Sequence, residues 1–131
     1  MITSLDTNVI VRLVTADDPD QTRHAKDLVT AGPVFVTKTV LLETEWVLRV
    51  AYNLERDVLA GSLRAFLGLP QVSVEDETKV AQALAAYAAG MDFADALHLT
   101  SSPAGSRFAS FDRDLRRRAV RRRGLPPVIE P

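Results

Sequence analysis

Short apolar runs alternate with helix-period segments from one end of this 131-residue chain to the other, and that alternation constrains its fold more than any other feature. Residues 2–6 read as a short strand and residues 8–15 as a helix. Residues 19–31 give an amphipathic helix, and Gly32-Pro33 punctuates before the strand-like Val34-Phe35-Val36. Thr39 is placed to cap a helix running to about Tyr52, and Glu55 to Leu67 reads as another, ended by Gly68 and Pro70. Residues 72–74 are a short strand, and an alanine-rich helix over 76–89 closes at Gly90. A helix over 92–100, a strand over 107–111, a helix over 112–123 and a last strand at Val128-Ile129 complete the series. Strands separated by helices cannot be joined as hairpins, so the pattern predicts a parallel sheet with helices packed on it, in one α/β domain over residues 1–131.

Composition narrows the function classes. Apolar residues make up 47% and charged residues 25%, an ordinary balance for a water-soluble domain, and no apolar run is long enough to span a bilayer. The first residues lack a basic segment followed by an apolar one, so no secretory signal is expected. No cysteine is present, which excludes disulfides, thiolate zinc sites and cysteine nucleophiles, and fits a cytoplasmic location. The net charge is −1, yet eight of the 13 arginines fall between Arg107 and Arg123. Such a segment either is a solvated helix face or attracts a polyanion, and charge alone favours the first.

The acids are sorted by the rule that ligands of an open α/β sheet bind outside the carboxyl ends of its strands. Asp6 ends the first expected strand, and Asp112 ends the strand 107–111. Asp92 and Asp95 lie three apart at the start of a helix and share a face. Glu43 lies early in the helix after the second strand, with Glu45 competing for its place. Each has a plainer reading, as a helix cap or an exposed helix residue. Their joint placement favours a shared site, because gathered carboxylates repel one another unless a cation neutralises them. Oxygen ligands suit Mg²⁺ or Mn²⁺, and two histidines without cysteine make poor zinc ligands. Metal-assisted phosphodiester hydrolysis follows, with Thr7 and Asn8 available to hold a carboxylate or a water and the arginines to hold a nucleic-acid backbone.

Four stretches in order carry a family resemblance: Asp6-Thr7-Asn8, Leu41-Leu42-Glu43-Thr44-Glu45-Trp46, Asp92-Phe93-Ala94-Asp95-Ala96-Leu97-His98-Leu99 and Ser110-Phe111-Asp112-Arg113-Asp114-Leu115. Together they resemble the PIN domain, and more narrowly the VapC-type toxins of bacterial type II toxin–antitoxin modules. The resemblance implies a three-layer α/β/α sandwich with a short, mainly parallel central sheet. It implies a Mg²⁺- or Mn²⁺-dependent endoribonuclease in which Asp6, Glu43, Asp95 and Asp112 carry catalysis and metal binding. Asp92 joins the metal site by its spacing. Ser110, where the family often has threonine, keeps the hydroxyl, and Thr7, Asn8, Ser110 and Asp114 are supporting candidates. Arg113, Arg116 and Arg117 are the candidate RNA contacts. Such proteins usually form homodimers and are inhibited by a cognate antitoxin. The broken stretch Ser101-Ser102-Pro103-Ala104-Gly105 departs from the family pattern, which expects a continuous helix and a short turn there.

Two rivals share the sequence. One is a PIN-like module that binds RNA or protein without cutting, which usually lacks some of the acids retained here. The other is a phosphatase with Asp6 as nucleophile, which would want a second acid where Asn8 stands. His98 is expected to be packed or hydrogen-bonded in the core rather than catalytic, His24 to be solvated, and Trp46 to lie in the core or a dimer interface.

Overall fold

In the computed structural model, which describes residues 1–131, seven helices, one or two at a time, separate five short strands, and every strand pair is parallel. The α/β reading therefore holds. Contacts divide the chain into two compact units, residues 1–77 and 78–131.

The first unit contains β1 (Thr3–Ser4), α1 (Thr7–Thr15), α2 (Pro19–Ala31), β2 (Val34–Val36), α3 (Lys38–Val50), α4 (Arg56–Leu67) and β3 (Val72–Val74). Its sheet has the order β1-β2-β3, with Thr3 opposite Val34 and Val34 opposite Val72. Each parallel step is made by a pair of helices, α1–α2 and then α3–α4. The strand expected over 2–6 contracts to β1, although Leu5 N–H still donates to Phe35 O at 2.9 Å. It stops there because Asp6 turns its carboxylate to the start of α1.

Helix starts follow capping chemistry. Asp18 accepts from Gln21 N–H at 3.1 Å with Pro19 as the first helical residue. Thr37, and not the expected Thr39, caps α3 by accepting from Val40 N–H at 3.3 Å. The cap falls there because Thr37 directly follows β2 and keeps its extended backbone, with φ −80° and ψ 159°. Thr39 lies inside the first turn, its hydroxyl 3.1 Å from that of Thr37. Ile10, Val11, Val34, Val36, Leu41 and Leu48 are fully buried, with Leu59 and Leu63 of α4.

The second unit holds nearly all of α5 (Glu77–Ala88), then α6 (Phe93–Ser101), β4 (Phe108–Ala109), α7 (Arg113–Val120) and β5 (Val128–Ile129). Here β4 and β5 form their own two-stranded ladder, Phe108 opposite Val128. Tyr87 and Phe93 are buried with ring centroids 5.1 Å apart and planes at 60°, a tilted contact that suits their opposed edge and face charges. α5 ends before Gly90, whose φ of +117° is one that L side chains rarely adopt. α6 runs unbroken to Ser101 in spite of the serines, and Ser102 Oγ donates to His98 O at 2.9 Å as the chain leaves it. α7 stops at Val120 rather than 123, because Gly124, at φ +83°, and Pro126-Pro127 redirect the chain toward β5.

Candidate functional site

In the first unit, Asp6 is both a strand-end acid and a helix cap. Its Oδ1 accepts from Thr7 N–H at 2.8 Å, while Oδ2 makes no bond within the protein. Thr7 is buried, and its hydroxyl donates to Glu43 Oε1, tying the first residue of α1 to α3. Glu43 is exposed apart from that bond, and Asn8 is exposed as well. Glu45 has different surroundings from Glu43. Glu45 is only 2% exposed, and its Oε2 accepts from Arg49 Nε at 2.8 Å, one turn along α3. A buried carboxylate held this way is an ion-pair partner, whereas Glu43 faces solvent.

In the second unit, Asp92 caps α6, its Oδ2 accepting from Asp95 N–H at 3.1 Å. Asp95 sits half-buried in the first turn. Burial, then the charge of Asp92 and then that of Asp112, push its carboxyl above the ordinary carboxylate range, and His98 opposes them. Asp112 caps α7, with Oδ1 accepting from Asp114 N–H at 3.0 Å and Leu115 N–H at 3.1 Å. Ser110 Oγ accepts from Asp112 N–H at 3.0 Å, so the serine hydroxyl sets the backbone that carries the acid. Asp114 is committed elsewhere. Hydrogen bonds from Arg118 at 3.0 Å and Arg117 at 3.3 Å hold it below the usual carboxylate range.

The donors are hard oxygens throughout, and three capping carboxylates, those of Asp6, Asp92 and Asp112, each keep one oxygen that the helix backbone does not use. That chemistry fits Mg²⁺ or Mn²⁺. No group of three or more histidine, aspartate or glutamate side chains is drawn together closely enough to hold an ion in this conformation. The donor types fit; a formed coordination shell is not present among them.

Arg113, Arg116 and Arg117 all line one open cleft of about 590 Å³, and Ser110 and Asp112 line it too. The sequence reading missed Phe111, which lines the same cleft and is 74% exposed. Its signal was present, an aromatic residue directly before an acid and a basic helix, but an apolar residue beside β4 reads first as strand. The expectation for His98 is corrected, and of the two readings of Trp46, core or dimer interface, the core one is. His98 is exposed rather than core, because the buried stripe of α6 runs through Leu97 and Leu99 on either side of it. Trp46 is 54% exposed and outside the core, since α3 buries Leu41, Thr44, Glu45 and Leu48 instead.

A family model described as PIN domain matches residues 4–121. No curated protein matches the chain. A crystal structure of VapBC2 from Rickettsia felis bound to a DNA fragment from their promoter is 12% identical, with a TM-score of 0.42, and the match covers 99% of this chain and 98% of that one.

Proposed function

The chain belongs to the PIN-domain family, and from that premise we propose that it is a Mg²⁺- or Mn²⁺-dependent endoribonuclease, the toxin of a VapBC-type module. Family membership supports nuclease chemistry. The narrower reading rests on the four motifs in order and on the acids they retain. The family match runs through both compact units, which supports treating residues 1–131 as one domain. The observation that carries the proposal is Asp95, a half-buried carboxyl raised first by burial and then by the charges of Asp92 and Asp112 beside it. A protein retains such mutual repulsion where a cation relieves it.

Asp6, Glu43, Asp95 and Asp112, with Asp92, would hold the ion. When bound, it supplies a water of lowered pKa and positive charge for the phosphate oxygens. This chain's residues do the positioning. Thr7 fixes the rotamer of Glu43 through a buried hydroxyl, and the caps of α6 and α7 orient Asp92 and Asp112. Ser110 holds the backbone under Asp112. Arg113, Arg116 and Arg117 give the RNA backbone a positive surface. A cognate antitoxin and a second copy of the chain are the protein partners in this reading, and the cytoplasm its location. No helix is long and apolar enough to cross a membrane.

A second reading, a PIN-like module that binds without cutting, draws on the absence of any closed group of three ligands. One experiment separates the two. Protein freed of partners is incubated with a mixed RNA pool in Mg²⁺, Mn²⁺ or chelator, beside Asp6→Asn and Asp112→Asn. Metal-dependent cutting lost in both variants is the expected result. Binding with no cutting in either metal would establish the module instead.

A further inference from the structure

The cleft beside α7 holds more than the expected arginines. Arg113, Arg116, Arg117, Val120 and Arg121 recur at helical spacing and form one stripe along it. The opposite stripe, Leu115 and Ala119, is buried. Phe111 stands at the head of the exposed stripe, and Val120, 79% exposed, lies near its end. Of these arginines only Arg117 makes an ion pair, with Asp114 at 3.3 Å, and that pair is too exposed to bind it firmly. Two acids, Asp112 and Glu130, stand on the cleft wall against the four arginines. An exposed ring among unpaired guanidinium groups offers a stacking surface and phosphate contacts together.

We propose that this face is a platform for single-stranded RNA, one base stacking on Phe111 while Arg113, Arg116 and Arg121 take the neighbouring phosphates. The inference rests on the nuclease reading for its purpose, and what it adds to that site is Phe111 as the residue that holds a base of the strand. Duplex bases are stacked inside their helix and cannot reach an aromatic ring, so the platform selects unpaired strands. It also leads the strand past Asp112, the residue next to Phe111. An acidic peptide would use the arginines, but would leave the ring without a flat partner.

The test is binding of a labelled oligouridylate to the full chain in chelator, so that cutting does not intervene. Phe111→Ala should weaken binding about ten-fold, within the range for loss of one base–aromatic stack, and Phe111→Tyr should restore it. Replacing Arg113, Arg116 and Arg121 by Gln should flatten the salt dependence by about two log units of affinity per log unit of salt. Inorganic polyphosphate should bind equally to Phe111→Ala and the parent. Unchanged oligouridylate binding in Phe111→Ala would overturn the proposal, as would an RNA duplex bound as tightly as the single strand. Poly-glutamate binding with the same Phe111 dependence would reassign the face to a protein partner. Phe111 is exposed, so a thermal midpoint like the parent's is expected for each substitution there. The two readings fail separately. Phe111-dependent binding without metal-dependent cutting sinks only the nuclease, whereas cutting lost in Asp6→Asn with Phe111-independent binding sinks only the platform.

Discussion

Asp6, Asp92 and Asp112 each commit one carboxylate oxygen to the backbone of the helix that follows and leave the other available. Capping and metal chemistry are therefore separable by substitution. Asparagine caps nearly as well as aspartate but carries no charge, whereas alanine removes both. Asp112→Asn should abolish nuclease activity with little change in stability, and Asp112→Ala should also cost about 1 kcal/mol, read by denaturant melts. At Asp95 the raised carboxyl has a defined sign. Its ionisation opposes folding, so its effect on stability worsens as pH rises from the unfolded value of about 3.9 through the raised folded one. Asp95→Asn should then melt higher than the parent at neutral pH in chelator, and lose that advantage in acid. Asp17 behaves oppositely. A hydrogen bond from Tyr52 at 2.6 Å, then one from Thr15 and the charge of Arg12, hold it below the ordinary range. Its contribution is present above about pH 3.9 and is lost as pH falls through the folded value, so the Tyr52→Phe and parent curves should converge at low pH.

At the scale of elements, Thr7 links α1 to α3 through its bond to Glu43. Thr7→Val keeps the shape and removes the donor. Activity should fall while stability drops by about 1 kcal/mol, and a stability loss with activity intact would assign Thr7 to packing alone. The extents of several elements were legible in local pattern, such as α2 at Pro19–Ala31, β2 at Val34–Val36 and β3 at Val72–Val74. Their proline, glycine and apolar boundaries act within a few residues. The start of α3 was not legible, because Thr37 and Thr39 have the same cap chemistry and only the end of β2 chooses between them. Glu43 and Glu45 differ by two positions, which on a helix sends them to opposite sides. The sequence left their roles open until burial put Glu45 against Arg49.

For the whole molecule, net charge is −1, yet the second unit gathers most of the arginines, so the attraction for RNA that we propose would come from the distribution of charge and not from its total. A metal ion that binds the folded chain and not the unfolded one would stabilise it. At about a hundred times the dissociation constant, Mn²⁺ should add roughly 2.7 kcal/mol, seen as a higher thermal midpoint that chelator reverses. A midpoint indifferent to both metals would speak for the binding-module reading.

The chain by itself determined the α/β class, the order of its elements and the acids worth testing. Periodicity and punctuation are local, and the family motifs are read residue by residue. Tertiary structure alone decided that Glu43 rather than Glu45 meets solvent and that His98 and Trp46 lie outside the core. It also decided that Phe111 opens into the arginine cleft instead of packing beneath β4. The reason is common to all of them. Whether a side chain is buried, paired or exposed depends on which distant element covers it, and no spacing along the chain carries that information.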